Sequence, residues 1–90
     1  MTETAAARLG RLRMRSMRRG IREMDLILAD FAARELAAMP PADLDLYEAL
    51  LEESDHDLLA WVTGAAPAPD ALADLVARIR AGAEGLARPT

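Results

Sequence analysis

The sequence predicts an all-α fold, a compact bundle of about five short helices, and three observations carry that prediction. Twenty alanines and fourteen leucines dominate the apolar half of the chain, while valine occurs twice, isoleucine three times and aromatics three times, as Phe31, Tyr47 and Trp61. Alanine, leucine, arginine and glutamate are good helix formers, whereas strands draw on β-branched and aromatic residues. Apolar positions recur every three to four residues through most of the chain, and proline and glycine punctuate it at helix-length intervals. Ninety residues allow one domain, with a thin core. We divide it into a basic N-terminal helix or arm over 1–17, a helical core over 18–80 and a disordered tail over 81–90.

The first helix is expected from about Thr4 to Ser16, with Leu9, Leu12 and Met17 as its apolar positions and Gly10 as a local weakness. After Gly20 comes the strongest periodicity, Ile21, Met24, Ile27 or Leu28, Phe31 and Leu36, with Glu23 and Asp25 in the first turn, where the helix dipole favours acids. Asp30 and Arg34 form an i,i+4 pair on its outer face. Pro40 pushes Met39 out of the α region and ends this helix, and Pro41 suits the first position of the third. Leu44, Tyr47, Leu50 and Leu51 give the third helix its buried stripe, with Glu48, Glu52 and Glu53 facing water. Ser54 reads as the N-cap of a fourth helix, Asp55 to about Thr63, carrying Leu58, Leu59, Trp61 and Val62. Gly64 is its stop and Ala65–Pro69 an extended linker. Asp70 caps a fifth helix with the stripe Leu72, Leu75, Val76 and Ile79, an outer Asp74–Arg78 pair, and an end at Gly82 and Gly85.

Charge and composition exclude several functions. No cysteine is present, so disulfides, thiolate metal sites and a cysteine nucleophile are excluded, and the one histidine, His56, rules out multi-histidine sites. Glu53 and His56 have Glu-x-x-His spacing, yet a di-iron bundle needs two such pairs and two further glutamates, so no metal site is expected. No apolar run approaches the ~20 residues of a membrane span. Residues 1–19 have the arginine-rich, acid-poor composition of an organellar presequence but run straight into the next helix, and are read as part of the mature chain. The carboxylates fall on polar helix faces rather than in an enclosed, desolvated setting, and no glycine-rich phosphate loop exists, so an enzyme is not expected.

Net charge is −4, unevenly placed: seven arginines and no acid from Arg8 to Arg22, then eleven acids and one base from Glu23 to Asp57. A stripe of Arg8, Arg11, Arg15 and Arg18 or Arg19 suits phosphate binding, which makes a small nucleic-acid-binding module, or another helical interaction module, the alternative function. No aromatic lies beside that stripe to stack bases, and the chain is acidic overall, so nucleic acid is not the expected partner. The remaining signal is Arg19-Gly20-Ile21-Arg22-Glu23-Met24-Asp25. A residue without a side chain marks a helix start, where another backbone can approach closely, between fork-shaped donors and fixed acceptors. Its bland alternative is a turn glycine beside acids that answer the helix dipole.

This stretch, Arg-Gly-x-x-Glu-x-Asp followed by a long helix, resembles the signature of the FAD assembly factor (SdhE) family, whose mitochondrial relatives are the succinate dehydrogenase assembly factors 2. Phe31 and Glu35 stand where the second helix of that family carries them. Leu50, Leu51, Glu52, Asp55, Asp57, Leu58 and Trp61 look like its second signature, Leu-Leu-Glu-x-x-Asp-x-Asp-Leu-x-x-Trp. The likeness runs from about Arg18 to Arg80, and Pro40 departs from it where a serine or aspartate cap is usual. It implies a five-helix monomer that is no enzyme and holds no cofactor stably, but binds the flavoprotein subunit of succinate dehydrogenase or fumarate reductase and promotes covalent attachment of FAD to a histidine there. Carried over, Arg19, Gly20, Glu23 and Asp25 form the client-binding surface, Arg18 and Arg22 assist, and Asp55, Asp57 and Trp61 are structural. Such a protein works in the bacterial cytoplasm, or in the mitochondrial matrix of a eukaryote.

Overall fold

The computed structural model describes residues 3–87 and contains helices α1 (Ala5–Met17), α2 (Arg22–Glu35), α3 (Pro41–Leu51), α4 (Asp55–Thr63) and α5 (Ala73–Ala87), with single 3₁₀ turns at Leu36–Ala38 and Asp70–Leu72. No strand occurs among the described residues. Helix α2 is the hub, packed against α1, α4 and α5, with α3 alongside α1. Its buried stripe is Met24, Leu28, Phe31 and Ala32, continued by Leu36. Tyr47, Leu50 and Leu51 from α3, Leu58 and Val62 from α4, and Leu72, Leu75, Val76 and Ile79 from the last segment close one continuous core around it. The Phe31 and Tyr47 rings stack within it at 5.6 Å.

Local chemistry sets the helix boundaries. Thr4 caps α1, its hydroxyl oxygen accepting from the Ala7 amide at 3.0 Å. Pro41 occupies the first turn of α3, where its missing N–H costs nothing. Ser54 caps α4 by accepting from the Asp57 amide at 3.2 Å, and Gly64 ends that helix at φ 84°, a conformation that favours glycine.

Several expectations are corrected. Helix α2 does not continue to Met39: it tightens into a 3₁₀ turn after Glu35, because Pro40 holds Met39 extended (ψ 134°). Asp70 is not a side-chain cap; Pro69 precedes the turn and its carbonyl accepts from the Leu72 amide. Helix α5 passes through Gly82 and Gly85 to Ala87 instead of ending there. Gly82 is a point of close approach, where a Cβ would collide with the Arg34 guanidinium. Residues 88–90 of the expected tail lie outside the described residues. Arg78 does not pair with Asp74 but reaches across to Glu35 at 2.7 Å and to Asp43 at 3.8 Å, its guanidinium 5.9 Å from the Phe31 ring centre. Asp30 and Arg34 do pair, at 2.8 Å.

Helix α1 departs most from its expected stripe. Leu12 is buried and Leu9 partly so, but Met17 is 55% exposed, and the second fully buried residue is the polar Ser16. Its hydroxyl donates to the Leu12 carbonyl at 2.7 Å and shares a 2.6 Å hydrogen bond with the Tyr47 hydroxyl, so both polar atoms enter the core satisfied. What aligns α1 beside α3 is charge. Arg8 meets Asp45 at 2.6 Å and Glu48 at 3.2 Å, Arg11 meets Glu48 at 2.9 Å, and Arg15 meets Glu52 at 2.9 Å. Each partner lies 37 positions after its arginine in three of these contacts, so the two helices run side by side in the same direction and in fixed register. Glu48 and Glu52 therefore serve as internal ligands of α1, not as a purely solvated rim.

Burial pushes the Tyr47 phenol up to about 12, against 10.0 unperturbed. The fold favours the neutral phenol, so this contribution to stability is complete below pH 10 and disappears as pH rises through the raised value. Tyr47 is the only tyrosine. Near-ultraviolet absorbance should show no phenolate near pH 10, then a rise near pH 12 together with loss of helical circular dichroism. A simple titration at the ordinary value would refute this burial.

Candidate functional site

The junction between α1 and α2 consists of Arg18, Arg19, Gly20 and Ile21, and a cluster of hydrogen bonds holds it. The Arg19 side chain turns inward. Its Nε donates to Asp55 Oδ1 at 2.7 Å, while its two terminal nitrogens donate to the carbonyls of Leu51 and Glu53 at 2.8 Å each. Leu51 is the last residue of α3 and Glu53 follows it by two, at a helix end where acceptors lack intrahelical partners and the dipole favours a cation. The Gly20 amide donates to Asp55 Oδ2 at 2.5 Å, and the Arg19 amide to Asp25 Oδ1 at 2.6 Å. One aspartate at the start of α4 thus binds both residues of the Arg-Gly pair, and one aspartate of α2 reaches back over the same turn.

Electrostatics match this geometry. Burial opposes the charge on Asp55, yet the Gly20 amide and the Arg19 guanidinium outweigh it together and hold the carboxyl below its ordinary range. The Asp55 and Arg19 side chains are only 17% and 11% exposed, so water weakens the pair far less than it does a surface salt bridge. A Cβ on Gly20 would sit 3.0 Å from Asp55 Oδ2, the atom that accepts the glycine amide. Glycine suits this close approach: a side chain here presses on the carboxylate that organises the junction, which must give by a few tenths of an ångström.

The clasp divides the residues expected to form one client-facing patch. Arg18, Arg22 and Glu23 are exposed and have no ion pair among the described residues. Arg19 and Asp25 are half-buried, and their polar groups serve the protein itself; the expectation of Arg19 as an outward fork is corrected, because three acceptors inside the molecule already occupy its donors. Gly20 is exposed although its amide is bonded inward. Asp55 is the hub of the clasp, and the sequence signal for it was available: it continues the series Asp45, Glu48, Glu52 that faces Arg8, Arg11, Arg15 and Arg19. Asp57 is exposed, its amide bonded to Ser54. Trp61 is only partly buried; it packs against the core and lines a shallow groove of about 530 Å³ with Gly64, Pro67, Val76 and Arg80.

Hydroxyl groups elsewhere are held structurally: Ser16 to Tyr47, Ser54 as a cap, and Thr63 to the Leu59 carbonyl at 2.8 Å. What this surface presents to another molecule is a pinned turn with two outward arginines and a glutamate.

Comparison with known proteins gives these features a setting. The family described as flavinator of succinate dehydrogenase matches residues 10–83. Succinate dehydrogenase assembly factor 2, mitochondrial, of Schizosaccharomyces pombe is 43% identical over 68 residues, covering 76% of this chain and 49% of that protein. The protein of the same name from Candida glabrata is 44% identical over 63 residues, covering 70% of this chain and 41% of its own length. The one from Mycosarcoma maydis is 38% identical over 68 residues, covering 76% and 29%. The chain thus spans about half or less of the length of these relatives.

Replacing Asp55 with alanine should cost about 2–4 kcal/mol in urea denaturation, since it strands a half-buried guanidinium and a backbone amide. The lowered carboxyl contributes stability that is present above the ordinary carboxylate pKa and lost as pH falls through the depressed value. Asp55→Ala should therefore show a shallower loss of stability in acid than the parent protein. Equal stability and an unchanged acid branch would show the clasp to be energetically idle.

Proposed function

The chain belongs to the family of flavinators of succinate dehydrogenase, and on that premise we propose that it is an assembly factor for a flavoprotein. Its client is the flavoprotein subunit of succinate dehydrogenase, or of the related fumarate reductase, and it promotes the covalent attachment of FAD to that subunit. The observation that carries this reading is the α1–α2 turn: Arg18, Arg22 and Glu23 project from a backbone held from behind by Asp55 and Asp25. A rigid, charged tip loses little conformational entropy on docking, and its arginines form bidentate pairs with carboxylates.

The factor does not form the flavin bond itself. It holds the client's domains so that FAD and the accepting histidine meet in reactive geometry, an orientation effect that lowers a barrier without contributing a catalytic group. FAD remains the client's group. The groove beside Trp61 offers a pyrophosphate one charged side chain, Arg80, among alanines and Pro67. The protein acts where its client matures, in the bacterial cytoplasm or the mitochondrial matrix, and no described helix is long and apolar enough to cross a membrane. A nucleic-acid role is disfavoured because carboxylates of this same chain hold Arg8, Arg11, Arg15 and Arg19.

Glu23→Ala separates docking from folding, since Glu23 is exposed and has no hydrogen bond among the described residues, whereas any substitution at Gly20 also strains the clasp. In a strain lacking the gene and complemented with this variant, covalent flavin fluorescence of the flavoprotein band on a denaturing gel should fall several-fold, with helix content and melting unchanged. Full fluorescence from the deletion strain itself would overturn the proposed function.

A further inference from the structure

We infer that the outward face of α1 and α2 is part of the docking surface, and that it takes an acidic, apolar-studded surface of the flavoprotein subunit; this rests on the function proposed above. The seven arginines between residues 8 and 22 fall into two sets. Arg8, Arg11, Arg15 and Arg19 each hold carboxylates of α3 and α4. Arg13, Arg18 and Arg22 are all exposed and have no ion pair among the described residues. Beside this second set stand Met14, Met17 and Leu26, which are 46%, 55% and 59% exposed; among the described residues the other large exposed hydrophobic is Leu46, at 39%, on α3.

These residues adjoin. Arg13 and Met17 line a groove of about 220 Å³ with Ala29, Ala32 and Ala33 of α2, and Met14 and Arg18 line a second of about 230 Å³ with Arg15 and Arg19. Along α2, Arg22, Leu26, Ala29 and Ala33 recur at helical spacing on one side. The face meets the turn at Arg18 and Arg22, so the two surfaces are continuous. The turn alone presents far fewer than the ~20–30 residues per side of a standard stable interface, and the adjoining face supplies the missing area.

Chemistry selects the occupant. Exposed methionine is unbranched and polarizable, suited to fitting an irregular protein surface, and arginine's planar fork matches carboxylates. The inward set of arginines shows that pairing within this same molecule. No exposed aromatic accompanies the face, since Phe31 and Tyr47 are buried, so it lacks the stacking platform of a single-strand binder.

Hydroxyl-radical footprinting of the unmodified protein tests this. On saturation with purified flavoprotein subunit, oxidation of Met14 and Met17 should slow several-fold, while the buried Met24 and Met39 serve as unchanged references. Arg13→Glu, which lies off the turn, should weaken binding of that subunit about tenfold without altering helix content. A saturated complex in which Met14 and Met17 oxidise at the free rate would overturn the inference. So would protection that appears only with anionic vesicles or at rising concentration of the factor alone. If Glu23→Ala weakens the complex while this face stays open, the inference alone falls; if no complex with the flavoprotein forms, the function proposed above falls first.

Discussion

The junction between α1 and α2 depends on one carboxylate. Asp55 accepts from the Arg19 side chain through one oxygen and from the Gly20 backbone through the other. A four-residue link between helices would ordinarily move independently of what lies beneath it. Here it is tied to the start of α4, while Arg19 simultaneously satisfies the last carbonyl of α3 and that of Glu53 just beyond it. Three helices are therefore joined at a point with little hydrophobic contact, and the residues that remain free, Arg18, Arg22 and Glu23, inherit a fixed direction. The Arg-Gly pair thus acts within the molecule, as the device that fixes the direction of its exposed neighbours.

The same electrostatic logic extends along α1. A helix that buries only Leu12 and Ser16 completely has too little apolar area to fix its own position, at about 25 cal/mol per Å². Single exposed salt bridges add little. A row of them in common register, closed by the less exposed Arg19–Asp55 pair, supplies specificity of placement, because sliding α1 by one residue breaks every contact at once. Burial of Ser16 against Tyr47 sets the same register from inside, since a shifted helix would leave both hydroxyls unpaired in the core.

Helix number, most boundaries and the core stripe of α5 could be read from the sequence because they follow from local rules: proline geometry, Ser54 as a cap, Gly64 as a stop, and leucines at helical spacing. Readings that failed involved partners distant in sequence. Arg78 had a suitable acid one turn earlier in Asp74, yet packing brings Glu35 and Asp43 closer. Gly82 looked like a terminator because glycine's intrinsic cost is local, whereas α5 runs on past it with the Arg34 side chain lying over that position. The Arg-Gly motif was visible as a motif, but its division into inward and outward residues was not, since that division depends on where α4 begins in space.

One pattern in the sequence did encode the long-range arrangement. Arginines at 8, 11, 15 and 19 and acids at 45, 48, 52 and 55 share nearly the same spacing, which is what two helices lying side by side in one direction require. A basic segment beside a strongly acidic one suggests a two-ended molecule built to bind polyanions at one end. The structure folds the two ends together, so most of the asymmetry cancels internally. What survives is the residue of that cancellation: Arg13, Arg18 and Arg22, which fall outside the paired row and so face outward with Met14, Met17 and Leu26. Net charge alone conceals this surface, because the internal pairing consumes acids as fully as bases. The surface proposed for docking is the remainder of the charge pattern that holds the fold.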